Sequence, residues 1–79
     1  MKDEVYKKIS EIFKNYNINI ENIDKNVSII ENNITDSITF VNILLEIEDT
    51  LQLTINFDEI DMDKLVYFNN LIEYINANV

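Results

Sequence analysis

The chain has 79 residues, a formal net charge of −9, and no histidine, cysteine, glycine or proline. This length allows one small domain, and a hydrophobic fraction of 47% is typical of a globular protein and not of a disordered one. The composition excludes disulfides and conventional zinc or iron sites, and the acidity disfavours nucleic-acid binding. No apolar run approaches a membrane span of about 18 residues, and the charged start Met1-Lys2-Asp3-Glu4 is unlike a signal peptide, so a cytoplasmic protein is expected. We also expect it to be a monomer.

The elements are predicted from hydrophobic periodicity, because the chain lacks the glycine and proline that usually mark turns and element ends. Residues 3–16 have the pattern of an amphipathic helix. Residues 17–35 are rich in asparagine and hold isolated apolar residues, which predicts a long loop whose apolar side chains enter the core. A loop of this length is often functional.

A second helix is predicted for residues 37–51, with Thr35, Asp36 and Ser37 all competent as its N-cap. The geometry of this helix is traced by Ile38, Val41, Leu44, Leu45, Glu48 and Leu51. Its apolar stripe is broad, because Ile43 and Ile47 extend it beyond one narrow face. Residues 53–55 alternate briefly and indicate an extended connector.

Two further helices complete the predicted fold. A short helix is predicted over 58–62, capped by Asn56 or Asp58, and a last helix over 64–77. The sum is an all-α four-helix bundle, with three main helices, one short helix and a long first loop.

The charge is concentrated in residues 26–63. This window holds nine acidic residues and no lysine, whereas six acids and six lysines cancel outside it. Such a segment attracts basic protein surfaces, although a solvated face that maintains solubility explains the charge as well. The acids at 58–63 lack the glycine turn and ligand spacing of a calcium loop, so no metal site is expected.

Ser37 lies where the long loop gives way to the second helix. Helix N-termini have unpaired N–H groups and favour negative charge, so this position suits a phosphate-bearing group. With no histidine as a base, no catalytic residue is expected, and Ser37 is interpreted as an attachment point. A plain N-cap explains Asp36-Ser37-Ile38 as well.

The segment that begins with Asp36-Ser37-Ile38 continues with an apolar residue four positions after the serine, acids in the last helical turns and an apolar pair two residues apart. This arrangement resembles the acyl carrier protein family, in which Asp-Ser-Leu opens the second helix. The residues on the pattern are Ser37, Val41, Glu48, Asp49, Leu51, Leu53 and Ile55. The chain departs from it in Ile38 for leucine, in Asn56-Phe57 where proline is frequent, and in Asn33 near the usual glycine. Asn33 can adopt the left-handed backbone, although less readily.

The resemblance implies a bundle of acyl-carrier type in which Ser37 carries a 4′-phosphopantetheine arm, attached through a phosphodiester. A phosphopantetheinyl transferase would supply the arm from coenzyme A, and Asp36 would help that enzyme and its metal engage the site. The arm would hold an acyl or aminoacyl group as a thioester for loading and synthase enzymes with basic docking patches. Fatty-acid and lipid metabolism, D-alanyl carriers and secondary metabolism all fit. The implied docking residues are Ile38, Val41, Glu46, Glu48 and Asp49.

Two alternatives stay open. One is a small acidic helical interaction module that binds a basic partner without a prosthetic group, and the other is an enzyme. Val41, Leu45 and Phe68 are candidates to line a pocket for a fatty cargo, although ordinary core packing also explains them. The cargo itself is not identified by the sequence.

Overall fold

Four α-helices form within residues 3–79, which are the residues that the computed structural model describes. They are α1 (Asp3–Lys14), α2 (Ser37–Leu51), α3 (Met62–Leu65) and α4 (Phe68–Asn78). Over this range the chain forms no β-strand, so the protein is all-α. None of these helices is long and apolar enough to cross a membrane. Met1 and Lys2, at the expected charged start, lie outside the described residues.

The core is one cluster of buried apolar side chains, supplied by all four helices, the α1–α2 loop and the α2–α3 connector. The rings of Phe13 and Phe68 pack edge to face in it, with centroids 5.5 Å apart and planes at 79°. Helix α2 contributes four fully buried side chains at helical spacing: Phe40, Ile43, Leu44 and Ile47. The broad apolar pattern predicted for α2 divides between two sides, with Ile43, Leu44 and Ile47 in the core and Ile38 and Leu45 exposed.

The loop between α1 and α2 is irregular but packed. Helix α1 ends at Lys14, two residues before the predicted end, and Asn17 turns the chain with φ of 63°. The expectation that the loop supplies core residues is confirmed for three isoleucines, each at most 4% exposed: Ile18, Ile20 and Ile29. The connection from α1 to α2 is therefore part of the folded core.

Ser28 ties this loop to the junction between α3 and α4. Its buried hydroxyl oxygen accepts the N–H groups of Ile30 and Glu31 at 3.3 and 3.2 Å. Ser28 also forms an isolated antiparallel bridge with Tyr67, and the N–H of Ile29 donates to the carbonyl of Val66 at 3.0 Å. These bonds satisfy backbone groups that would otherwise be buried without partners.

The predicted short helix at 58–62 is displaced. A turn occupies that stretch, closed by the N–H of Ile60 on the carbonyl of Asn56 at 3.1 Å. Helix α3 begins after Asp61, whose carboxylate accepts the N–H of Asp63 at 3.1 Å, so neither Asn56 nor Asp58 caps it. The cap positions were misassigned because several Asn and Asp residues near this point have equal capping propensity.

The predicted last helix over 64–77 begins too early. Residues 62–65 belong to α3, and the chain bends at Val66 and Tyr67 before α4 starts at Phe68. The reason is the pairing of Tyr67 with Ser28, a long-range contact that overrides the continuous helical periodicity.

Candidate functional site

The start of α2 is fixed by Asp36, and α2 has the range predicted from the sequence. Asp36 has an extended backbone, with φ −100° and ψ 171°, and its Oδ1 accepts the N–H of Thr39 at 2.7 Å. Its carbonyl accepts the N–H of Phe40 at 2.9 Å. Of the three competent residues, Asp36 is therefore the N-cap. The N–H of Thr39, followed by the Thr39 hydroxyl, holds the pKa of Asp36 below its ordinary value.

Ser37 is exposed on the first turn of α2, between exposed Asp36 and an Ile38 side chain that is 77% exposed. The Asp36 carboxylate already occupies the Thr39 N–H, so the helix end is less open than the sequence suggested. A phosphate on Ser37 would share this end with an anion and would project toward solvent.

The approach to α2 is held by backbone bonds. The N–H groups of Ile34 and Thr35 both donate to the carbonyl of Ile29 at 3.0 Å. Asn33 has a φ of 57°, so the left-handed conformation expected for it is confirmed. Without glycine, the chain makes the turn before Asp36 with asparagine, which tolerates this region better than most residues.

Glu46, one of the predicted docking acids, bonds to Tyr16, which lies just beyond the end of α1. Its half-buried carboxylate accepts a hydrogen bond from the hydroxyl of Tyr16 at 3.0 Å. This hydrogen bond, together with burial and the carboxylate charge, raises the pKa of Tyr16. Glu46 therefore serves to join the α1 end to α2.

Glu48, a second predicted docking acid, organises the end of α2. Its Oε2 accepts the N–H of Ile55 at 2.6 Å, and its carbonyl accepts the N–H of Leu53 at 3.2 Å. The same carbonyl accepts the N–H of the C-cap Gln52, which has a φ of 55°. Ile55 is only 3% exposed, so Glu48 satisfies a buried backbone donor.

Asp49 alone among the three predicted docking acids of α2 is exposed. It lies in line with Ile38, Val41 and Leu45, at spacings of three or four residues, so the four side chains share one face. We call these four residues the α2 outer stripe. Ile38 is 77% and Leu45 47% exposed, and Val41 is half-buried.

Leu45 belongs to the α2 outer stripe, although the sequence does not place it among the docking residues. It was a candidate for a cargo pocket or the core, together with Val41 and Phe68. Only Phe68 is core, at 1% exposed. Leu45 instead borders a shallow groove of about 400 Å³ at the C-terminal end of α2, with Glu48, Asp49, Gln52, Leu53 and Thr54. Its exposure follows from its position, because it lies two helical turns after exposed Ile38 and therefore on the same side of α2.

The chemistry available on this surface is limited. Within residues 4–79, no three acidic side chains converge to hold a metal ion, and the chain has no histidine or cysteine. What the site provides is an exposed hydroxyl at one end of an apolar stripe and a carboxylate at the other.

No model of a known protein family, no curated protein and no solved structure matches this chain.

Proposed function

We propose that this protein is an acyl carrier protein. Ser37 would bear a 4′-phosphopantetheine arm, and the arm would hold an acyl or aminoacyl group as a thioester for delivery to partner enzymes. The single observation that carries the proposal is the exposed Ser37 placed directly after the Asp36 cap, at the start of an α2 helix in a small, acidic, all-α protein.

The residues around Ser37 fit such an arm. A covalent arm requires an accessible hydroxyl and a surface on which the modifying transferase can dock, and exposed Ser37 with the α2 outer stripe offers both. When attached, the group supplies a terminal thiol, which this cysteine-free chain lacks. The chain's own contribution is to hold Ser37 at the first residue of α2, whose start is capped by the Asp36–Thr39 bond.

The α2 outer stripe supports transient docking. Three apolar residues followed by Asp49 offer a partner a small hydrophobic contact with a charge at one end. Such a surface favours brief complexes, in which electrostatics sets orientation more than affinity. Partner enzymes with a basic patch next to an apolar one fit it.

The test is modification of the purified protein by a broad-specificity phosphopantetheinyl transferase with coenzyme A, followed by intact mass measurement. We expect the mass of one phosphopantetheine to be gained by the parent and by Ser10→Ala, a matched control on α1. Ser37→Ala should gain nothing. No gain by the parent, or an equal gain by Ser37→Ala, contradicts the proposal.

A second candidate is an interaction module that uses the α2 outer stripe without a prosthetic group. The 77% exposure of Ile38 favours it, since large apolar side chains this exposed are characteristic of binding surfaces when they lie in a contiguous patch. The mass measurement separates the two candidates, because the module is not modified.

A further inference from the structure

A second surface feature lies between α4 and the chain that leads from α2 into α3. It is a groove of about 680 Å³, which we call the α4 groove. One wall is a face of α4 that holds Asn70, Glu73, Tyr74 and Asn78 at helical spacing. The opposite wall is formed by the chain from Thr54 to Asp61 and by α3. Ser37 and the α2 outer stripe do not line it.

The floor of the α4 groove is apolar. Leu65 is 5% exposed and belongs to the core, and half-buried Ile60 and Tyr74 pack against that core. A volume of this size falls within the range of about 300–1,000 Å³ that is typical of ligand sites. A bound apolar side chain could therefore be removed from water here.

The rim of the α4 groove is acidic. The lining includes three exposed acidic residues, Glu59, Asp61 and Glu73, and one cation, Lys64. The net charge of the lining is therefore −2. Asp61 is held in place by its bond to the N–H of Asp63. The lining thus combines an apolar floor with three carboxylates, one at the N-cap of α3, one on α4 and one in the turn that precedes α3.

Two asparagines of the groove are held by hydrogen bonds within the protein. The Nδ2 group of Asn70 donates to the carbonyl of Lys64 at 3.0 Å, and that of Asn78 donates to the carbonyl of Tyr74 at 2.7 Å. Each amide group retains its oxygen and a second N–H, so these side chains are neutral in preference and the bias toward cationic ligands comes from the carboxylates. A ligand rich in N–H donors and positive charge is complementary to such a lining.

We propose that the α4 groove binds a short extended segment of a partner protein in which arginine stands next to a large apolar residue. Guanidinium matches carboxylates with paired hydrogen bonds, and its weak hydration favours a partly apolar site. From Asn70 to Asn78 the helix rises about 12 Å, which corresponds to about four extended residues. This site is independent of the proposed arm on Ser37.

The test uses the Ser37→Ala protein, so that its outcome does not depend on the arm. The probe is a fluorescein-labelled hexapeptide of alternating arginine and leucine, with binding followed by anisotropy and by amide chemical shifts in NMR. We expect saturable binding, with shifts at Thr54, Leu65 and Tyr74 and none along the α2 outer stripe. A hexapeptide with glutamate in place of arginine should not bind.

Matched variants separate the groove from the net charge. Glu59→Gln with Glu73→Gln should weaken binding at least about fivefold, which corresponds to about 1 kcal/mol. Glu11→Gln with Glu31→Gln removes the same charge outside the groove and should change binding less than about twofold. All four positions are exposed, and circular dichroism checks that the variants fold.

The proposal would be overturned by the absence of saturable binding, by an equal loss in both pairs of variants, or by shifts that map to the α2 outer stripe. Displacement of the peptide by spermine, added at the same concentration of positive charge, would also overturn it, because binding would then depend on charge alone.

Discussion

Replacing Glu48 is expected to destabilise the protein, whereas replacing the adjacent Asp49 is not. Oε2 of Glu48 lies 2.6 Å from the N of Ile55, and Ile55 is only 3% exposed. In Glu48→Ala this backbone N–H loses its acceptor in a place that water barely reaches. Leaving a buried donor unsatisfied costs about 1–3 kcal/mol.

The size of the chain converts that cost into a measurable shift. In domains of 60–100 residues, each 1 kcal/mol lowers Tm by about 4–8 °C, so a loss of about 2 kcal/mol lowers Tm by about 8–16 °C. Glu48→Gln keeps an acceptor oxygen but loses the charge. Since charge-assisted bonds are about twice as strong as neutral ones, it should lose about half as much stability. Asp49→Ala should stay within about 0.5 kcal/mol of the parent.

Thermal and urea unfolding followed by circular dichroism, at one pH and salt concentration, measure these differences. Equal stability of Glu48→Ala and Asp49→Ala would refute the role of Glu48 as the acceptor that holds Ile55, in the chain between α2 and α3. A loss in Glu48→Gln as large as that in Glu48→Ala would show that the acceptor bond is not what stabilises the connector. Docking studies should therefore use Asp49→Lys and leave Glu48 intact, because the single Asp49 variant changes the α2 outer stripe without disturbing Ile55.

Two further predictions concern the entry into α2. Because the folded-state pKa of Asp36 is lowered, its charge stabilises the fold fully above about pH 4, and this contribution is lost as the pH falls through the folded-state pKa. The difference in unfolding free energy between the parent and Asp36→Asn should therefore shrink between pH 6 and pH 2.5 in urea titrations, and a constant difference would contradict the shift. Asn33, with φ of 57°, should tolerate glycine but lose about 1 kcal/mol on replacement by alanine. Urea unfolding that ranks Asn33→Ala equal to the parent would contradict the role of the left-handed turn.

The all-α class and the range of α2 were predictable from the sequence because local signals decide them. Asp36 is a strong cap, and the residues after it alternate with helical period up to Leu51. The division between α3 and α4 was not predictable in this way. Tyr67 interrupts the helical pattern only because it pairs with Ser28, and no local pattern reports a partner 39 positions earlier.

For the candidate site, the sequence indicated the position of Ser37 but not the roles of the acids around it. The sequence does not distinguish among the three acidic residues Glu46, Glu48 and Asp49 of α2, and it predicts docking for all of them. Their different roles depend on Tyr16 and Ile55, which approach α2 from other parts of the chain. Side-chain hydrogen bonds of this kind become visible only when the elements are packed together.

The pairing of the α1–α2 loop with the α3–α4 junction also bears on how this chain folds. The side chains of Asn26 and Asn69 bond at 2.9 Å across 43 positions, and the N–H of Asn69 donates to the carbonyl of Lys25. Contacts between such distant residues require a large loop to close before they contribute, which slows folding. Once these contacts have formed, we expect the loop to open together with α4 and not by itself. Hydrogen exchange at the amide of Ile29 should therefore report the separation of α4 from the rest of the protein.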